Sequence, residues 1–112
     1  MAVGNLDAER DLTDVRDTVR AYALLAVHGR PGQVYNVCAG QAVSIRSVLD
    51  RLLARAAVPI AIRTDPARYR PNDQPVVLGD SQRIREETGW HPRIGLEQSL
   101  DDLLADWRRR AT

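Results

Sequence analysis

Glycine and proline residues cut this chain into short apolar segments, and that division limits the fold more than any other feature of the sequence. The segments alternate between helical spacing of apolar residues and short strand-like runs. The turn residues between them are Gly29, Pro31, Gly32, Pro59, Pro71, Pro75 and Gly89. This alternation predicts a small α/β fold with three main helices and several short strands.

The helices are predicted from apolar periodicity and from the residues that begin and end each segment. The main helices are residues 13–27 with Thr13 as N-cap, a helix capped by Ser44 that ends before Pro59, and residues 96–107. Ser81 is expected to cap a shorter helix that stops at Gly89.

Strands are predicted over residues 33–38, 60–64 and 76–78, where apolar and β-branched residues lie between turn residues. Trp90 is expected to pack where the short helix stops. Cys38 has no cationic neighbour in sequence that would activate its thiol, so we expect it to be a small buried hydrophobe.

The composition is that of one folded domain spanning residues 1–112. Hydrophobic residues make up 44% and charged residues 28% of the chain, which argues against disorder, and no apolar run is long enough for a membrane span. The net charge of +1 argues against a general nucleic-acid-binding function. No signal-peptide pattern opens the chain, so we expect a cytoplasmic protein.

All 16 basic residues are arginines, because the chain contains no lysine. These residues therefore cannot supply a Schiff-base lysine, a P-loop lysine or a tyrosine–lysine proton-transfer couple. The glycine spacings match neither of the common phosphate-binding motifs. A single cysteine and two well-separated histidines, His28 and His91, suggest no metal site.

The stretch from Ala67 to Pro75 combines cations, a carboxylate and two prolines in one connection. Pro71 and Pro75 restrict the backbone, so Arg70 and Asp73 would lose little entropy on binding a ligand. A guanidinium group matches phosphate through its planar fork, and a carboxylate accepts hydrogen bonds from sugar hydroxyls. Two interpretations are open: a loop that binds a nucleotide diphosphate, or an ordinary solvated loop.

Two further arginines are candidates for the same site. Arg10 either pairs with a neighbouring carboxylate at the surface or converges with Arg70 on the two phosphates. Arg46, at the start of the second helix, faces either water or a nucleobase. The residues alone leave these alternatives open, because Arg10 and Arg70 lie far apart in the chain.

Four motifs follow one another in the order and spacing of a known family. They are Gly4-Asn5-Leu6-Asp7-Ala8-Glu9-Arg10-Asp11, Val34-Tyr35-Asn36-Val37-Cys38-Ala39-Gly40, Arg70-Pro71-Asn72-Asp73 with Gly79-Asp80, and Thr88-Gly89-Trp90-His91-Pro92. From about Val3 to Trp107, the chain resembles the C-terminal substrate-binding part of extended short-chain dehydrogenase/reductases.

Within that superfamily, the pattern is most similar to GDP-6-deoxy-4-keto-mannose reductases and to GDP-mannose 4,6-dehydratases. The dehydratases typically carry Arg-Asp-Trp-Gly, whereas this chain has Arg10-Asp11-Leu12-Thr13, which is closer to the reductase pattern. The resemblance implies the substrate-binding part of an NAD(P)-dependent, homo-oligomeric nucleotide-sugar reductase. The alternatives are the same part of a dehydratase, which is a lyase, or of another NDP-sugar epimerase or dehydratase.

The resemblance also implies roles for individual residues. Arg10 and Arg70 would hold the diphosphate of a GDP-sugar, and Asp73 would hold its ribose. The family's Rossmann domain, with its glycine-rich turn and Tyr-x-x-x-Lys pair, has no counterpart in the sequence. We therefore expect a fragment that has no catalytic residue and binds no cofactor by itself. A non-catalytic interaction module is a further alternative.

Overall fold

The structure is a computed structural model that describes residues 1–71 and 73–112. It divides into two compact units, and each unit is built from two separate stretches of the chain. The first unit consists of Met1–Arg10 and Ala42–Leu78, and the second of Asp11–Gln41 and Gly79–Thr112. Asn72, a member of the Arg-Pro motif, lies outside the described residues.

The first unit is organised around short parallel strand pairs and one amphipathic helix. Its elements are β1 (Ala2–Val3), β2 (Glu9–Asp11, whose last residue begins the second unit), β3 (Ala42–Ser44), α2 (Ile45–Ala54), β4 (Arg63–Thr64), a 3₁₀ turn (Pro66–Arg68) and β5 (Val76–Val77). Strand β1 pairs with β4, and β2 lies between β3 and β5. Both the β1–β4 and β2–β5 pairs are parallel.

The second unit is helical. It contains α1 (Val15–His28), the short α3 (Gln82–Thr88) and α4 (Leu96–Ala111). Ala21, Ile84 and Trp90 form its buried core, and half-buried side chains that include Tyr35 and Val37 pack around them. The prediction that Trp90 packs where the short helix stops is confirmed, because Trp90 is 1% exposed and follows the left-handed Gly89.

A buried carboxylate ties this core together. Asp17 accepts a hydrogen bond from Arg20 and two more from the backbone N–H groups of Arg93 and Ile94. Burial alone would raise the pKa of Asp17, but these hydrogen bonds outweigh it and hold the pKa below its usual range. The ionised side chain therefore stabilises the fold of this unit.

The predicted architecture of three main helices with short strands is confirmed, but several details of the elements differ. Residues 33–38 do not form a strand; Tyr35 and Val37 pack on the helical core, whereas Val34 is exposed and its carbonyl accepts a hydrogen bond from Arg83. The strand predicted over 60–64 is reduced to Arg63–Thr64. The last helix continues beyond Trp107 to Ala111.

The caps of the helices are partly as predicted. Ser44 caps α2 and accepts a hydrogen bond from the N–H of Ser47. The N-cap of α1 is Asp14 and not Thr13, because the Asp14 carboxylate accepts the N–H of Arg16 from an extended backbone. Ser81 lies at the N-cap of α3 without a capping bond, and Asp80 accepts the N–H of Gln82. Cys38 is buried as predicted, and burial raises the pKa of its thiol.

We predict that Asp17→Asn lowers the free energy of unfolding by roughly 3 kcal/mol at pH 7, because it leaves the Arg20 guanidinium and buried N–H groups without an anionic acceptor. The folded-state pKa of Asp17 is depressed, so its contribution is complete above the unfolded value of about 4 and is lost as the pH falls through the folded value. The difference between wild type and variant should therefore shrink below about pH 4.

Urea unfolding of both proteins between pH 3 and pH 7 measures this difference. Asp50→Asn is the matched control, because Asp50 is an exposed carboxylate on α2 and its removal should leave stability nearly unchanged. If the difference in the free energy of unfolding between wild type and Asp17→Asn stays constant with pH, the assigned role of the ionised carboxylate is contradicted.

Candidate functional site

A cavity of about 280 Å³ in the first unit collects the charged residues of the Arg-Pro loop. Its lining residues are Asn5, Ala8, Arg10, Ile45, Arg68, Arg70 and Asp73. The volume lies just below the range of about 300–1,000 Å³ that is typical of small-molecule sites, so the cavity fits part of a larger ligand. Three guanidinium groups and one carboxylate give it a net positive charge.

Arg10 is anchored at this cavity by three hydrogen bonds. Its Nη1 donates to the carbonyls of Glu9 at 2.7 Å and Gln74 at 2.8 Å, and its Nη2 donates to Asp73 Oδ1 at 2.6 Å. A guanidinium group has five N–H donors, so two of those of Arg10 have no partner among the described residues. Arg10 therefore combines a fixed position with donors that a ligand can use.

Asp73 receives hydrogen bonds on both carboxylate oxygens. Arg10 binds Oδ1, and the Nδ2 group of Asn5 donates to Oδ2 at 3.4 Å. The Oδ1 atom of Asn5 in turn accepts the N–H of Asp7 at 3.0 Å, which orients the Asn5 amide. The carboxylate is thus held at the cavity wall, and each of its oxygens can accept further hydrogen bonds.

Arg70 reaches the same cavity from the exposed loop between the 3₁₀ turn and β5. Among residues 1–71 and 73–112, its guanidinium group forms neither a salt bridge nor a hydrogen bond. Its charge is therefore available to an anionic ligand. The structure brings Arg10, Arg70 and Asp73 to one cavity, as the sequence-based hypothesis required of a binding loop.

Arg68 is a cavity residue for which the sequence analysis proposed no role. It ends the 3₁₀ turn, and the Asp65 side chain, which accepts the N–H of Ala67, caps the start of that turn. Its spacing from Arg70 was the available signal, because Tyr69 between them has an extended backbone, and side chains two positions apart lie on the same side of an extended segment. That signal was too weak to separate Arg68 from a solvated loop residue.

Gly4 allows the segment that carries Arg68 to approach the first strand. A Cβ atom at Gly4 would lie 2.7 Å from the backbone oxygen of Arg68 and 3.2 Å from its Cβ atom. The same segment is tied to β1 by the hydrogen bond from the N–H of Asp65 to the carbonyl of Val3. Gly4 is therefore required for the position of the cavity wall.

Arg46 does not line this cavity. Its backbone N–H donates to the carbonyl of Leu6, which fixes the first turn of α2, while its side chain is 57% exposed. The guanidinium group lies 3.5 Å from Asp7, another exposed side chain. A contact between Arg46 and a nucleobase stays a prediction.

An apolar cavity of about 410 Å³ borders the charged one in the same unit. It is lined mainly by β1 and by Ile45, Val48, Leu49 and Leu52 of α2, which are the apolar positions of that amphipathic helix. Asn5, Ile45 and Arg68 line both cavities. The charged cavity therefore lies next to an apolar one.

The second unit has a cleft of about 490 Å³ lined by residues of both charges, among them Arg30, Arg83, Glu86 and Glu87. Its charges are largely satisfied internally, because Arg30 pairs with Glu87 and Arg83 donates to the Val34 carbonyl. Its arginines are consequently less available to an anion than Arg70.

Two further classes of site are absent from the part of the chain that the structure describes. Within residues 1–71 and 73–112, no three or more His, Cys, Asp or Glu side chains are grouped so that they could hold a metal ion. No helix in that part of the chain has the length and apolar character needed to cross a membrane.

Comparison with known proteins gives the family context of this arrangement. The family model described as GDP-mannose 4,6-dehydratase matches residues 1–103. A GDP-6-deoxy-D-mannose reductase from Pseudomonas aeruginosa is 44% identical over 110 residues, which are 98% of this chain and 36% of the relative. A GDP-mannose 4,6-dehydratase from Sinorhizobium fredii is 26% identical over 96% of this chain and 34% of its own length.

The solved structures include a close match to the fold. The structure of RMD from Pseudomonas aeruginosa, complexed with NADPH, superposes with a TM-score of 0.90 at 41% identity. The match covers 98% of this chain and 36% of that chain, and it corresponds to the C-terminal part of an extended short-chain dehydrogenase/reductase. This chain thus spans about a third of the length of the relatives it matches.

We predict that Gly4→Ala lowers the free energy of unfolding by roughly 1–3 kcal/mol, because the new methyl group meets a backbone carbonyl that cannot rotate away. Urea unfolding measures the change. Gly95→Ala is the matched control, since a Cβ atom there meets nothing within 4 Å, and it should cost less than about 1 kcal/mol. If both variants lose the same free energy of unfolding, Gly4 is not needed for the close approach of the Arg68 backbone to the first strand.

Proposed function

The chain belongs to the GDP-mannose 4,6-dehydratase family of extended short-chain dehydrogenase/reductases, and we propose that residues 1–112 form the substrate-binding domain of a GDP-4-keto-6-deoxy-mannose reductase. The observation that carries the proposal is the convergence of Arg10, Arg70 and Asp73 on one cavity. The choice of reductase is supported by 44% identity to a reductase against 26% to a dehydratase.

The proposed binding mode follows from the donors and acceptors at the cavity. The diphosphate of the GDP-sugar accepts hydrogen bonds from Arg70 and from the two remaining N–H groups of Arg10. The ribose hydroxyls donate to the carboxylate of Asp73, which Arg10 and Asn5 hold in place. Arg46, on the exposed start of α2, is proposed to contact the base.

The residues of this chain do not fit a nicotinamide dinucleotide. The glycines with positive φ, Gly32, Gly40 and Gly89, are isolated from one another, and the chain has no lysine to serve a catalytic tyrosine. We therefore assign NAD(P) binding and hydride transfer to parts of the parent protein other than these residues. The role of this chain is to bind and orient the nucleotide sugar.

A dehydratase is the second candidate for the parent protein. It is supported by the description of the family model and by the dehydratase relative. Both candidates use the same cavity and the same class of substrate. The parent protein is further proposed to be a cytoplasmic homo-oligomer.

We predict that Arg70→Ala in the full-length protein weakens binding of a GDP-sugar by about tenfold or more, because one charge-assisted contact is worth roughly 1.5–3 kcal/mol. Affinity for NADPH should not change. Isothermal titration calorimetry with GDP-mannose and, separately, with NADPH measures both affinities.

Arg63→Ala is the matched control for Arg70→Ala, because Arg63 is an exposed arginine of β4 that does not line the cavity. It removes the same charge and should leave GDP-mannose affinity within about twofold of wild type. Unchanged affinity in Arg70→Ala would favour the solvated-loop interpretation of residues 67–75.

We also predict that the 112-residue chain alone turns over no GDP-sugar with NADPH, since it carries no glycine-rich dinucleotide turn and no tyrosine–lysine pair. The measurement is NADPH oxidation followed by absorbance in the presence of GDP-4-keto-6-deoxy-mannose. Turnover by the purified chain would place catalytic residues within it and overturn this assignment.

A further inference from the structure

If only Arg10 and Arg70 bind the diphosphate, the cavity supplies one uncompensated positive charge for two negative charges. The Nη2 atom of Arg10 lies 2.6 Å from Asp73 Oδ1, so the positive charge of Arg10 is already balanced by a carboxylate. A diphosphate ester carries a negative charge on each of its two phosphates. Arg70 alone cannot neutralise both, so a second uncompensated cation at the cavity would improve the charge balance.

Arg68 has an uncompensated charge at the same cavity wall. Its only salt bridge among the described residues is with Asp65, and there its Nε atom lies 3.7 Å from Oδ2, beyond hydrogen-bond distance. The Arg68 side chain is 60% exposed, so this pairing is weak and easily exchanged for a stronger acceptor. Its terminal nitrogens have no hydrogen-bond partner within residues 1–71 and 73–112, so they can form a bidentate contact with phosphate.

The backbone that carries Arg68 is held in place before any ligand binds. The N–H groups of Arg68 and Tyr69 donate to the carbonyls of Asp65 and Pro66 within the 3₁₀ turn. The turn is fastened to β1 by the Asp65–Val3 hydrogen bond, and Gly4 leaves room for it. Only the side chain of Arg68 must be ordered on binding, which keeps the entropic cost small.

We propose that Arg68 is a third arginine of the site and that it supplies, with Arg70, the two uncompensated charges that bind the diphosphate. Arg10 contributes its remaining N–H groups and positions Asp73. This inference rests on the proposed function, because it assigns a specificity-determining residue to the same GDP-sugar site. It predicts that the site prefers ligands with two adjacent phosphates.

The test uses the full-length protein and GDP as the probe, with affinity measured by isothermal titration calorimetry. Arg68→Ala is expected to weaken GDP binding by about tenfold, as Arg70→Ala does. Arg68→Lys keeps the charge and the apolar stem but loses the planar fork, so its affinity should lie between those of wild type and Arg68→Ala. Arg63→Ala again controls for the loss of one positive charge in the same segment.

Three results separate this inference from the function on which it rests. If Arg68→Ala and Arg68→Lys both bind GDP within about twofold of wild type while Arg70→Ala does not, Arg68 is a surface residue and only the further inference fails. If the wild-type protein binds neither GDP nor GDP-mannose, the proposed function fails as well. If circular dichroism shows that Arg68→Ala is poorly folded, the folded Arg68→Lys variant decides the question. A GDP affinity of Arg68→Lys equal to that of wild type then overturns the proposed fork contact.

Discussion

The candidate site depends on the hydrogen bonds that Arg10 makes to the loop before β5. One guanidinium group binds the carbonyl of its neighbour Glu9, the carbonyl of Gln74 and the carboxylate of Asp73. Together with the parallel pairing of Glu9 and Arg10 with Val76 and Val77, these bonds join two stretches of chain that are more than sixty residues apart. Without them, the loop that carries Arg70 and Asp73 would have no fixed position relative to β2, and the cavity would lose one wall.

Neighbouring residues in the Arg-Asp pair have different structural tasks. Arg10 belongs to the first unit and lines its cavity, whereas the side chain of Asp11 works within the second unit. There it accepts the N–H groups of Ala39, Gly40 and Gly79 at 2.8, 2.9 and 3.3 Å. A carboxylate is suited to this task because it can accept several hydrogen bonds at once and has no donor that would need a partner. The pair therefore combines a cavity-lining cation with a structural anion in two consecutive residues.

Local signals in the sequence predicted the helices well and the strands poorly. Ser44 as a cap, Gly29 and Gly89 as stops, and the apolar periodicity of α2 and α4 are short-range features, and the structure follows them. The two-residue and three-residue strands β1, β2 and β3 were not predicted, because pairing with distant segments defines them. Residues 33–38 had the composition of a strand, but in the structure they form none, and Tyr35 and Val37 pack on the helical core instead.

The sequence by itself determined the α/β class and the family, because these depend on residue types, on turn residues and on the order of motifs along the chain. Through the family resemblance, it also predicted Arg10, Arg70 and Asp73 as a set of binding residues. Only the tertiary structure decided that these side chains share one cavity, that Asp73 neutralises Arg10, and that Arg68 lies beside them. The physical reason is that convergence and charge pairing depend on distances between residues far apart in sequence, and such distances exist only after the chain has folded.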